Sequence, residues 1–179
     1  MTSYKFIGYL FLGIFIFSCN SASTNNSEIT NNYILITTAI RTSKESRLKF
    51  QDKFATILDS FLLKDKPLVK LEEQKRLLEE AKIENKKAED LISVANEIDS
   101  TLRYKEKALD MFKFLDKQYN YDYPEIFKIM ESSSINKKGQ ITKIIVPSSD
   151  TLKIKATDVI EIAKSVIKKY DIKLFEVTK

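Results

Sequence analysis

A mainly α-helical fold is predicted for this 179-residue chain, built on a long antiparallel helical hairpin of coiled-coil type with a short third helix and a small C-terminal ββαβ module. Three observations predict it. Apolar residues recur at alternating three- and four-residue steps over two long stretches. Lys64-Asp65-Lys66-Pro67 interrupts the pattern between them. Beyond Gly139 the period shortens towards two and β-branched residues accumulate.

The N-terminus has a different character. Met1 to Lys5 carry one positive charge, and Phe6 to Phe17 form an apolar run of the length expected of a secretory signal, too short for the ~20 residues that span a bilayer. Ile16-Phe17-Ser18-Cys19 then places a small residue directly before the only cysteine in the chain. This tetrapeptide resembles the lipobox of bacterial lipoproteins, with Ile16 in place of the commoner Leu and Phe17 where Ala or Ser is usual. The resemblance covers residues 1 to 19. It implies removal of a signal peptide spanning 1–18, a diacylglyceryl group on Cys19, and residence at a membrane, most consistently the outer membrane of a diderm bacterium. Two or more acyl chains anchor a protein stably, whereas one binds marginally.

Residues 19–27 are small and polar and read as a flexible tether. Asn25 and Glu28 stand at capping-box spacing and open the first helix. Ile29, Tyr33, Ile36 and Ile40 continue through two polar steps, Ser43 and Arg47, to Phe50, Phe54, Ile57 and Phe61. Polar steps within such a seam either set its register or mark where it meets water. From Pro67 the series Leu77, Ala81, Ala88, Leu91, Ala95, Ile98, Leu102, Leu109 and Phe112 predicts a second helix, running to about residue 119 or interrupted near Asp99 to Thr101, where cap-forming residues gather. The alternating charges from Glu72 to Glu89 read as a solvated face.

Tyr119, Tyr121 and Tyr123 fall within five residues and either form a contact surface or plug the end of the bundle at a turn between helices. Pro124 opens a short third helix to about Ser132. Together residues 28–135 constitute the helical part. Residues 136–179 read as the separate α+β module: strands over Ile141 to Val146 and Thr151 to Ala156, a helix capped by Asp158 and Glu161, and a closing strand from Ile172 to Val177.

Composition narrows the function. The chain has three glycines, of which only Gly139 lies beyond the signal, and it has no histidine and no tryptophan. Phosphate-cradling loops, dinucleotide fingerprints and nucleophile elbows need glycine, while zinc, haem and Ser-His or Cys-His chemistry need imidazole or thiolate. No catalytic or metal-ligating residue and no cofactor is therefore expected apart from the lipid on Cys19. A hydrolase is the weakest reading.

The formal net charge of +5 is concentrated from Lys137 onward, where ten lysines face Asp150, Asp158, Glu161, Asp171 and Glu176. Lys153 and Lys155, with the three tyrosines, are the candidate contact residues, for a protein partner or a polyanion. Nucleic acid is not expected, since no binding motif accompanies the charge. The seams of a two-helix hairpin outrun its core and call for a partner protein or a second copy. The expected function is a membrane-anchored, non-enzymatic scaffold or accessory subunit of the envelope, with a surface-exposed adhesin-like binding protein as the alternative.

Overall fold

A computed structural model describes residues 24–64, 71–133 and 135–173. Those residues form helices α1 (Thr24–Thr42), α2 (Lys44–Lys64), α3 (Glu72–Ser93), α4 (Tyr104–Lys117), a π-helical segment (Gln118–Asp122), α5 (Tyr123–Glu131) and α6 (Lys137–Tyr170), with no strand among them.

The first seam is realised almost residue for residue. Tyr33, Ile36, Ile40, Phe50 and Phe54 are buried, and so are the two polar steps Ser43 and Arg47. Ser43 separates α1 from α2, with its Oγ donating to the Ile40 carbonyl at 3.2 Å. The backbone bonds through this point stretch to 3.4 Å and 3.3 Å, as expected where a hydroxyl competes for a helical carbonyl and bends the axis. Burial pulls the Arg47 guanidinium below its usual value, an effect the nearby Tyr119 opposes. The predicted tether is shorter than 19–27, because α1 already begins at Thr24.

Antiparallel packing of α1 and α2 on α3 is marked at one end by the Asn96 N–H donating to Asn32 Oδ1 at 2.7 Å, and at the other by Lys53 and Glu73 at 3.7 Å. The break expected at Lys64-Asp65-Lys66-Pro67 falls, from Asp65 onward, outside the described residues. Helix 67–119 is not continuous. It breaks between Ser93 and Tyr104, and polar side chains terminate both flanking helices. Lys105 Nζ donates to the Ser93 and Ala95 carbonyls, satisfying the end of α3, where the helix dipole favours a cation. The Glu97 carboxylate accepts from the Lys105 and Glu106 N–H groups, an acid on the first turn of α4. Arg103, at φ 55° and ψ 43°, completes the reversal in the left-handed region.

The predicted ββαβ module is not formed. Ile141 to Val146 and Thr151 to Ala156 both lie within the single helix α6, which continues through Pro147-Ser148-Ser149-Asp150. The buried residues Ile141, Ile145, Ser148, Ala156, Val159, Ala163 and Val166 keep a helical period across both supposed strands. β-branched content suggested strands, but burial of one helical stripe outweighs intrinsic propensity. Pro147 is tolerated because it lies on the exposed side, where the carbonyl four residues back, that of exposed Lys143, can turn to water. Asp158 and Glu161 are consequently not a cap; they lie mid-helix, paired with Lys107 and Lys164. Ile172 is buried and non-extended, its N–H donating to the Ile167 carbonyl behind left-handed Asp171, while residues 174–177 of the expected closing strand lie outside the described residues.

Since α6 packs on α4 and α5 and shares their core, 136–173 is not a separate module from the helical part. The third helix begins at Tyr123, without the expected turn before it. Pro124 has no N–H to offer Asn120, so the preceding turn widens: the Tyr123 N–H donates to the Gln118 carbonyl five residues back.

Candidate functional site: the groove between α4 and α6

Helices α4 and α6 run antiparallel, tied at one end through Asp99 and Lys169 and at the other through Gln118 and Ser148. Along the outer side of α4, Lys107, Asp110, Phe114 and Lys117 follow at three-four spacing, a polar stripe distinct from its buried face of Tyr104, Ala108, Met111, Phe112 and Leu115. Opposite them α6 presents Thr151, Ile154, Lys155 and Asp158. Six of these residues, Lys107, Asp110, Thr151, Ile154, Lys155 and Asp158, line a cleft of about 160 Å³.

Two ion pairs bridge the cleft with opposite polarity. Lys107 of α4 approaches Asp158 of α6 at 4.0 Å. One turn along, Asp110 of α4 accepts a hydrogen bond from Lys155 of α6. All four side chains keep contact with solvent, so each pair contributes little to stability by itself. Next to Lys155, on the side away from Asp158, Ile154 stands 63% exposed, a large aliphatic side chain without cover. The half-buried Phe114 ring holds two cations, Lys155 Nζ at 5.8 Å and Lys117 Nζ at 5.6 Å from its centroid.

Beyond the cleft, past the C-terminal end of α4, the contact with α6 is polar and buried. Gln118 Nε2 donates to Ser148 Oγ at 2.7 Å and to the Ser148 carbonyl at 3.2 Å, and Ser148 Oγ donates to Asp122 Oδ2 at 2.5 Å. Asp122 also accepts from Lys117 at 3.2 Å, across the widened π-helical turn. This network fixes the register of α4 against α6.

The candidate contact residues divide. Tyr119 and Tyr123 are core residues, packed against Phe50 and Phe54, and burial pushes the Tyr119 phenol up to about 12, with Arg47 opposing, and raises Tyr123 further. They therefore cannot serve a partner. Tyr121 points outward, 69% exposed, on the π-helical segment beyond Lys117. Lys153 is exposed on α6, whereas Lys155 is committed to Asp110 and Phe114 and is not a free cation for a polyanion. Cys19 lies outside the described residues.

Sequence reasoning missed the α4 half of the groove. Its signal was the second three-four series, Lys107-Asp110-Phe114-Lys117, running beside the core seam.

Among the described residues no helix is long and apolar enough to cross a membrane, and no group of three or more acidic, histidine or cysteine side chains is placed to hold a metal ion. Comparison with protein-family models, with curated proteins and with solved structures finds no match.

Proposed function

We propose that this chain is a lipid-anchored, non-enzymatic interaction subunit of a bacterial envelope, attached at Cys19 to the outer membrane of a diderm cell, with the α4–α6 groove as its contact face. The observation that carries the contact role is the uncovered Ile154 set among four charged side chains, the apolar-centre and polar-rim composition of protein contact surfaces. The lipobox-like Ile16-Phe17-Ser18-Cys19 supports the anchor. Four residues, and so five chain steps, separate Cys19 from Thr24, a reach of at most ~17 Å at full extension, so the start of α1 stays close to the bilayer.

Cell fractionation with mild amine crosslinking tests both halves. Wild-type protein is expected in the membrane fraction and in a crosslinked species larger than one chain, and Cys19→Ala in the soluble fraction. Wild type in the soluble fraction contradicts the anchor; single chains after crosslinking contradict the contact role.

A further inference from the structure

We propose that the occupant of the α4–α6 groove is a second copy of this chain, docked about a two-fold axis that runs along the groove. This deepens the contact role above and rests on that reading. The order of charges across the groove points to it. Lys107 and Asp158 face each other across the groove as plus on α4 and minus on α6. One turn further, Asp110 and Lys155 do so as minus on α4 and plus on α6.

Such a four-charge pattern is complementary to itself. A two-fold axis lying along the groove brings the α4 wall of one copy over the α6 wall of the other at the same level. Lys107 then meets the second copy's Asp158, and Asp110 meets its Lys155, so each charge finds an opposite one. An isologous contact requires this property, because one patch must serve as both partners. A patch of one sign would repel its own copy. Ile154 lines the groove at the Lys155 level, on the side away from Asp158, and because an axis along the groove preserves level it meets its own equivalent there and removes an exposed apolar surface from water. Phe114 and Tyr121 extend the contact towards the π-helical end.

The same charge pattern also satisfies an axis running across the groove. Anchoring decides between them. An axis across the groove sets the two copies antiparallel and separates their N-termini by about the length of the bundle. At ~1.5 Å per residue the 34 residues of α6 span ~51 Å, well beyond one ~17 Å tether. An axis along the groove keeps both N-termini at the same end, where both acyl anchors reach one leaflet. Confinement to that leaflet raises the effective concentration of the second copy, so a small contact suffices.

The test uses the full chain in cell membranes, with Ile154→Cys as the reporter, since a residue beside a two-fold axis meets itself. Mild oxidation and non-reducing electrophoresis are expected to give a dimer-sized band for Ile154→Cys. Ile83→Cys, a 55% exposed position on α3 outside the groove, reports random collision and is expected to give a yield at least tenfold lower. In the Ile154→Cys background, Lys107→Glu and Asp158→Lys are each expected to cut the yield severalfold, and the double reversal to restore it. Equal yields at 154 and 83, or no rescue by the double reversal, overturn the second-copy assignment. If amine crosslinking of the wild type captures only a different protein while Ile154→Cys stays monomeric, the contact role stands and the dimer falls. If Ile154→Cys crosslinks while the protein fractionates as soluble, the dimer stands and the anchor falls.

Discussion

Phe50→Ala is expected to lower the free energy of unfolding by ~3–5 kcal/mol. Phe50 is fully buried on α2 and meets three other rings: Phe54 at 5.7 Å, Tyr119 at 6.1 Å and Tyr123 at 4.7 Å between centroids, the last two edge-on. Phe127 of α5 closes the cluster against Phe54 at 6.0 Å. These rings join α2 to the π-helical segment and α5, so the truncation removes the shared contact of elements distant in sequence. Edge-to-face pairs add ~0.5–1.5 kcal/mol each beyond area burial. Against a total of ~5–15 kcal/mol for an ordinary domain, the loss leaves a marginal fold. Urea unfolding followed by far-UV circular dichroism measures it, with Ile83→Ala as a surface control expected to shift stability by ~0.5 kcal/mol or less. A loss at Phe50 no larger than the control would mean that this cluster does not organise the core.

Asp99→Asn should produce a stability loss whose size depends on pH. The Asp99 carboxylate accepts from Lys169 Nζ, from Tyr170 Oη at 2.7 Å, and from the Thr101 and Leu102 N–H groups at 2.7 Å and 3.1 Å. It thereby shapes the reversal between α3 and α4 and pins the end of α6 to it. The Lys169 ammonium foremost, then Thr101 and Tyr170, hold this carboxyl far below the usual carboxylate range. A carboxyl depressed in the folded state stabilises the fold above its unfolded value of about 3.9, and that contribution fades as pH falls through the folded value. The gap in Tm between wild type and Asp99→Asn is therefore expected to be several degrees and flat above about pH 5, to narrow below about pH 4, and to persist further into acid than an ordinary carboxylate would allow. Hydrogen bonding to Asp99 also raises the Lys169 ammonium, so the alkaline limb of the gap lies above its usual range. Thermal melts of both proteins across this range check the shape. A gap that does not change with pH would show that the ionised carboxylate is not what holds the reversal.

How far the fold was legible depends on which signal each segment carried. Tyr33, Ile36, Ile40, Phe50 and Phe54 announced their buried face because a three-four series over ten positions has no other economical explanation. The continuity of that series through Ser43 and Arg47 was readable, but whether those two faced core or water was not, since burial of a polar side chain is decided by what packs over it. Asp99 to Thr101 carried the right local chemistry for a break, yet the capping by Lys105 and Glu97 acts across the turn and leaves no contiguous motif. The C-terminal segment misled for a physical reason. Ile, Val and Thr favour strands when half exposed, and Pro-Ser-Ser-Asp resembles a turn, but the stripe from Ile141 to Val166 buries only as one helix against α4.

The candidate site was legible in halves. Of the candidate contact residues, Tyr121 is exposed and Lys155 lines the groove, whereas Tyr119 and Tyr123 are buried, and the ambiguity was inherent: tyrosines two residues apart on a helix face opposite environments, and sequence spacing does not say which of them faces in. Lys107, Asp110 and Phe114 were hidden because a polar helix face reads as solvated unless a second helix supplies its complement. The pairing of that face with α6 depended on the helix that had been read as strands.

Mass analysis of the N-terminal peptide from membrane-extracted protein tests the central claim most directly. The expected peptide begins at Cys19 and carries a diacylglyceryl group, and ester hydrolysis is expected to remove the acyl chains and leave an S-glyceryl cysteine, because the thioether resists hydrolysis. A peptide beginning at Met1, or an unmodified Cys19 thiol on protein purified from membranes, would contradict the lipid anchor and remove the shared leaflet as the reason for setting two copies side by side, leaving that geometry to the Ile154→Cys crosslink alone.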